Sequence, residues 1–230
     1  MDNLFRAHIT ILYRSSQMIK HTFDWNTIDT VLLDMDGTLL DLYFDNYFWL
    51  EYLPQNWGAI NGFDTVAAKE QLTARYKQEK GTLSWYCLDF WSRQLDMDVL
   101  QLKYDVEHLI QFRPYAREFL TWLKKLNKQI VMVTNAHQKL IAMKHERTGI
   151  EDYFDQIICA HDLGFPKEEI EFWQTLDKVV KFTKTRTVLI DDNLTVLRAA
   201  REHGIDHLLS IAQPDSNSPN QDTGEFTAIH

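Results

Sequence analysis

The chain has 230 residues, 45% hydrophobic and 25% charged, with a net charge of −9. That length supports one substantial domain or a core carrying an inserted module, and the acidic balance argues against a general binder of polymeric nucleic acid. No stretch nears the roughly 18 apolar residues of a membrane span, and the two cysteines, Cys87 and Cys159, lack metal spacing and read as small buried hydrophobes.

Met1 to Gln17 does not read as a signal peptide, because Asp2, Arg6, His8 and Arg14 interrupt any apolar run. Residues 1–28 are expected to be an N-terminal extension, with Met18 as an alternative start and the cytoplasm as the default compartment. The first strong element is Val31-Leu32-Leu33, followed at once by Asp34-Met35-Asp36-Gly37-Thr38. The apolar run reads as a strand buried on both faces, and Gly37 as the turn that ends it. Asp34 and Asp36 then project from the carboxyl end of a central strand, where open α/β sheets hold their ligands. Two neighbouring acids are costly there unless paired. A hard cation such as Mg²⁺, which takes oxygen ligands, would offset that cost.

A plain crossover to the next parallel strand needs only a dozen or more residues. The next buried strand, Gln129 to Val133, lies about 90 residues on. Between them the spacing predicts helices over Val66–Lys80, Ser84–Leu95 and Asp98–Phe112. The third carries Leu102, Val106, Leu109 and Ile110 on one face, with Asp96 as a cap near it. A small helical domain inserted between two strands is the expectation.

Pro114 opens a helix with Tyr115, Phe119, Trp122, Leu123 and Leu126 at helical spacing. After strand 129–133, a helix from about Gln138 to Thr148 stops at Gly149. Gln156 to Ala160 is a short strand, and Pro166 introduces a helix that turns Ile170, Trp173, Leu176 and Val180 inward. Thr187 to Ile190 is a strand ending in Asp191-Asp192, Asn193 caps a helix ending at Gly204, and His207 to Ile211 closes the sheet. From Ala212 onward, Pro, Asp, Ser and Asn predict a loop.

Alternating strands and helices imply a parallel sheet with right-handed crossovers. Chemistry should then collect past the strand ends. Thr134-Asn135 either cradles a phosphoryl group or simply caps a helix. Lys167 either neutralises a phosphate or is a solvated lysine. Asp191-Asp192 is a second acidic pair, one acid more than a helix cap requires.

Asp34-Met35-Asp36-Gly37-Thr38, then Thr134, Lys167 and Asp191-Asp192, in this order on alternating strands, resemble the four motifs of the haloacid dehalogenase (HAD) superfamily. The resemblance covers about residues 30–211. It implies an α/β fold: a Rossmann-like core with a parallel central sheet flanked by helices, plus an inserted α-helical cap. The implied division is a core of 29–44 and 113–212, a cap of 45–112 and a C-terminal tail of 213–230. It also implies that Asp34 is a nucleophile, that Asp36 is a general acid and base, and that Thr134 and Lys167 hold phosphoryl oxygens. Mg²⁺ would sit on the Asp34 carboxylate, the Asp36 backbone carbonyl and the second acidic pair, with Asp192 direct and Asp191 direct or through water. Asn193 stands where many members carry Ser and reads as a cap. Asp36, two past the nucleophile, is the pattern of phosphatases and phosphomutases, because an alkoxide leaving group needs a proton.

Asp41 to Trp49, Leu83 to Trp91, Thr134 to His137 and Phe165 to Glu168 look like the bacterial GMP/IMP 5′-nucleotidases of that superfamily. That resemblance implies a small phosphomonoester substrate, a purine nucleoside 5′-monophosphate, and no nucleic-acid or membrane partner. The aromatic residues would stack on a purine or form cap core. Tyr43, Asp45, Asn46 and Asn135 are the candidates for substrate contact. His137 lies near the phosphate or at the surface. A general sugar-phosphate or phosphoglycolate phosphatase, a β-phosphoglucomutase-like phosphomutase and a non-enzymatic nucleotide-binding protein are the alternatives. Oligomeric state stays open.

Overall fold

The computed structural model describes residues 24–230, so most of the expected N-terminal extension, with Met18, lies outside the described residues. Among the described residues, six parallel strands form one sheet: β1 (Thr30–Leu33), β2 (Gln129–Thr134), β3 (Gln156–Cys159), β4 (Thr187–Asp191), β5 (His207–Ile211) and β6 (Thr227–Ile229). Their order is β3-β2-β1-β4-β5-β6. β1 is central, and its Thr30 pairs with Gln129 on one side and Thr187 on the other.

The strand sequences explain this placement. β1 and β4 are buried at every residue, whereas β3 and β6 at the edges are partly exposed. Side chains alternate between the two faces. Val31, Leu33, Val188 and Ile190 join one apolar cluster, and Leu32 and Leu189 join the other.

Helices α1 (Tyr43–Tyr47), α2 (Leu53–Asn61), α3 (Thr65–Glu79), α4 (Leu83–Tyr86), α5 (Leu88–Leu95) and α6 (Val99–Asp105) lie between β1 and β2, followed by α7 (Ala116–Lys125). Helix α8 (Gln138–Thr148) follows β2 and α9 (Ala160–Leu163) follows β3. Helix α10 (Ile170–Val179) precedes β4 and α11 (Leu194–His203) precedes β5. Among the described residues, no helix is long and apolar enough to cross a membrane.

Between α1 and α2 the helix widens to π-winding over Phe48–Tyr52, where the Leu53 amide donates to the Phe48 carbonyl. Pro54 gives the reason. It offers no N–H to the carbonyl four residues back and its ring crowds that carbonyl, so the winding opens rather than breaks.

Several expectations need correction. The helix predicted over Ser84–Leu95 is broken at Cys87, whose extended backbone lets its sulfur accept the Phe90 amide 3.4 Å away. Cys87 is therefore a helix cap rather than a packed hydrophobe. The helix predicted over Asp98–Phe112 stops at Asp105 and resumes only as a 3-10 turn, Glu107–Leu109. Its cap is Asp98, which accepts the Gln101 amide at 2.9 Å, while Asp96 ends α5 in the left-handed region with φ 51°. Pro114 lies in a turn and Pro166 precedes one, and the helices begin at Ala116 and Ile170. The C-terminal stretch is not all loop, and His207–Ile211 does not close the sheet. Thr227–Ile229 pairs with β5 as β6, a run too short to show a strand pattern in sequence. The tail also packs back on the chain after β1: Ser216 donates its amide to Asp41 at 3.0 Å.

Candidate active site

The site lies where the strand arrangement predicts, past the carboxyl ends of β1, β2 and β4. A cavity of about 280 Å³ opens there between the sheet and the helices inserted after β1. Asp34 leaves β1 with its amide donating to the Ile190 carbonyl at 3.1 Å, which keeps the backbone in the sheet for one more residue. Gly37 then turns the chain with φ +82°, and a Cβ there would stand 2.7 Å from the Asp192 carboxylate. The acidic end of β4 thus sits directly against the turn after β1, an approach open only to glycine.

Lys167 is the centre of this floor. The residue is 2% exposed, and its ammonium donates to Asp34 Oδ1 at 2.6 Å, Asp191 Oδ2 at 2.7 Å and the Val133 carbonyl at 3.0 Å. The turn carrying it is fixed by Asn135, whose side-chain oxygen accepts the Lys167 amide at 2.9 Å, and by Trp173, whose indole donates to the Lys167 carbonyl at 2.8 Å. Burial works against the charge of Lys167, but Asp191 and Asp34 outweigh it and hold the ammonium protonated. Burial pushes Asp34 up to about 6 against the pull of Lys167. Asp192 is driven well up by burial and by the neighbouring Asp34 and Asp191 charges.

Ligand oxygens of Asp34, Asp191 and Asp192 lie within 4.8 Å of one another. Three carboxylates share one ammonium here, and all the donors are hard oxygens. Residues and charge both fit Mg²⁺ or a similar hard cation. Asp191 is already held at both oxygens, by Lys167 and by the Asn193 amide at 2.9 Å.

Asp36 lines the same cavity from the other side. Burial pushes its carboxyl up to about 6, against the pull of Lys144. Thr134 and Asn135, at the end of β2, complete the floor, and the Thr134 hydroxyl accepts the Ala136 amide at 3.0 Å. Asn193 caps α11 as expected, accepting the Thr195 amide at 2.9 Å. His137 caps α8 and lies 3.8 Å from Asp89.

Asp34, Asp36, Asp45, Asn46, Thr134, Asn135, Lys167, Asp191 and Asp192 therefore face one cavity. Tyr43 is not among its lining residues. Asp45 and Asn46 reach the wall with partners already bound. Asp45 accepts from Lys103 and Lys144, and Asn46 donates to Asp215 at 2.7 Å.

Other groups at the site escaped the sequence reading. Lys144 and Lys103 sit on helices, carry no motif that would single them out, and are buried. For Lys144 a signal existed: Leu140 and Ile141 lie four and three residues before it, which puts a lysine on an apolar face. From the inserted helices Tyr86 donates to Glu168 at 2.6 Å, and Glu168 also accepts from Asn135 and Asn193. Burial and the Glu168 carboxylate keep the Tyr86 hydroxyl protonated. Trp49 and Trp85 line the cavity on the same side.

The model of the haloacid dehalogenase-like hydrolases matches residues 28–204. A curated relative, the GMP/IMP nucleotidase YrfG of Escherichia coli K12, is 41% identical over 192 residues, covering 84% of this chain and 86% of its own. The Shigella flexneri protein of the same name matches to the same extent. Among solved structures, a HAD phosphatase from Thermococcus onnurineus superposes with a TM-score of 0.72 at 20% identity, over 88% of this chain and 93% of that one. The L-2-haloacid dehalogenase of Xanthobacter autotrophicus gives 0.52 at 15% identity, over 80% and 78%. These two likenesses speak to the fold, and the family match and the 41% relatives speak to descent. The chain belongs to the haloacid dehalogenase-like hydrolases.

Proposed function

We propose that this protein is a Mg²⁺-dependent phosphatase of nucleoside 5′-monophosphates, with GMP and IMP as substrates, working through an aspartyl-phosphate on Asp34. The observation that carries the reading is the meeting of Asp34, Asp36 and Lys167 with Asp191 and Asp192 in one cavity at the end of the central strand. The 41% relatives named GMP/IMP nucleotidase support the choice of substrate.

In this reading Asp34 attacks phosphorus in line, the bond from phosphorus to the 5′-oxygen breaks, and the phosphoryl group passes to Asp34. Asp36 gives its proton to the departing alkoxide and later takes one from the water that cleaves the acyl-phosphate. Lys167 and Thr134 hold phosphoryl oxygens. Asp34, the Asp36 backbone carbonyl, Asp192 and Asp191 would hold the cation, with Asp192 the direct ligand of the pair. Bound there, Mg²⁺ supplies positive charge against which the phosphoryl oxygens are stabilised.

Residues 45–112 act as the cap over a core of 29–44 and 113–212. The cap side of the cavity carries Trp49 and Trp85, which suit a purine face. Their rings also pack on Tyr76 and Trp91, so they are held rigid before substrate arrives. The substrate is a small molecule met in the cytoplasm, without polymeric nucleic acid or membrane.

Phosphate release from GMP, IMP, AMP, UMP, sugar phosphates and phosphoglycolate, each with Mg²⁺, tests the substrate. Preference for GMP and IMP is expected. Equal turnover of the sugar phosphates would overturn the nucleotide assignment and keep the phosphatase.

A further inference from the structure

Four charges of alternating sign, three of them buried, run from the inserted helices to Asp36. Lys103 on α6 donates to Asp45 Oδ1 at 2.7 Å. Lys144 on α8 donates to Asp45 Oδ2 at 2.6 Å and to Asp36 Oδ1 at 2.5 Å. The side chains of Lys103 and Lys144 are 0% and 1% exposed. The far end is fixed by aromatic rings: the Lys103 ammonium lies 4.3 Å from the Phe48 ring centre and 4.7 Å from that of Phe44.

We infer that Lys144 is a positioning residue for Asp36, and that Asp45 and Lys103 hold Lys144 in place from the inserted helices. The inference rests on the reading of Asp36 as the proton donor to the leaving group. Lys144 is not among the residues that line the cavity, whereas Asp36 and Asp45 are. Its route to a substrate therefore passes through Asp36 or Asp45, and of the two it is Asp36 that gives the proton in that reading. Stability alone does not call for such a chain, since apolar residues of like volume serve a buried site as well as or better than paired charges. What the chain supplies is direction. A carboxylate bound at one oxygen by a buried ammonium has one orientation, and that ammonium is itself held by a carboxylate on a third element. The chain crosses from α6 through α1 to α8, so it also ties the inserted helices to the acid beneath them.

The test compares leaving groups, using the full chain with Mg²⁺. IMP leaves as an alkoxide and needs the proton; p-nitrophenyl phosphate leaves as a stable phenolate and does not. In Lys144→Gln and in Asp45→Asn, kcat/KM for IMP should fall by about 10- to 100-fold, a part of what a general acid contributes. The fall for p-nitrophenyl phosphate should be several times smaller. Lys144→Arg, which keeps a buried donor, should recover part of the IMP rate. Equal falls on both substrates, or an undiminished IMP rate, would overturn the inference. Either substitution alone carries the comparison if the other fails to fold. Wild-type protein that hydrolyses a sugar phosphate but not IMP would instead overturn the nucleotide assignment, and the same contrast would be read on that sugar phosphate.

Discussion

Two buried lysines flank the two acids after β1, and their surroundings differ in one respect. Lys167 is shared by Asp34 and Asp191 with Asp192 close by, so three carboxylates face one ammonium. Lys144 and Lys103 face Asp36 and Asp45, two ammonium groups against two carboxylates. The first region carries surplus negative charge among buried groups, which a bound cation would balance. The second is complete as it stands. Surplus charge marks where something binds, and balanced charge marks where a group is held in place.

This contrast can be broken at either end. Asp36→Asn should lower kcat on IMP by about 10²- to 10⁴-fold, the range of a lost general acid. A fall under tenfold would mean that Asp36 is not the donor and that its balanced surroundings hold nothing of consequence.

Lys167→Met and Lys144→Met each remove one partner of a buried pair, and each should cost about 3–5 kcal/mol of stability in denaturant unfolding. Mg²⁺ should restore part of the loss in Lys167→Met, whose three carboxylates remain to bind it, and less in Lys144→Met. Equal restoration in both would erase the distinction between the two regions.

Gly37→Ala forces a left-handed residue and presses a methyl group on Asp192, 2.7 Å away. The expected cost is about 1–2 kcal/mol from the backbone, with a weaker Mg²⁺ midpoint read by thermal shift. An unchanged midpoint would detach Gly37 from the acidic pair.

The smallest effect is on pH dependence. Burial would raise the Asp45 carboxyl, but Lys103 and Lys144 outweigh it and hold the folded value at about 2, below the ordinary 3.8. A lowered folded value adds stability that is fully present above the unfolded value and lost as pH falls through the folded one. Asp45 should therefore contribute above about pH 4 and lose its contribution between about 4 and 2. Asp45→Asn should flatten the unfolding midpoint across that window. An equally steep wild-type and variant curve would show that Asp45 is not so paired.

The same contrast explains what could be read from the residues in order. Asp34 and Asp36 were legible because a fully apolar strand runs straight into them, and Asp191-Asp192 repeats that arrangement on β4. Lys167 was legible as the one basic residue in a motif that follows a strand end. The Lys144 chain was not, because its bonds span 58, 99 and 108 residues and join three helices to a loop. Nothing local in Met143-Lys144-His145 separates a buried lysine from a solvated one except its place beside Leu140 and Ile141 on the buried face. Asp45, a candidate for substrate contact, lines the cavity and is also engaged by two buried lysines that no local pattern announces. Element order held from β1 to β5. Element ends moved where one hydrogen bond decides, as at Cys87 and Asp98. The three residues of β6 are a strand only because β5 offers an edge.

The most direct measurement is steady-state phosphate release from IMP by the wild-type protein and Asp34→Asn, each with Mg²⁺ and with chelator. The expected result is turnover by the wild type with Mg²⁺, its loss with chelator, and a rate in the variant with Mg²⁺ at least about 10⁴-fold below that of the wild type with Mg²⁺, as expected for a missing nucleophile. An Asp34→Asn protein that still releases phosphate at a rate near the wild type would contradict it.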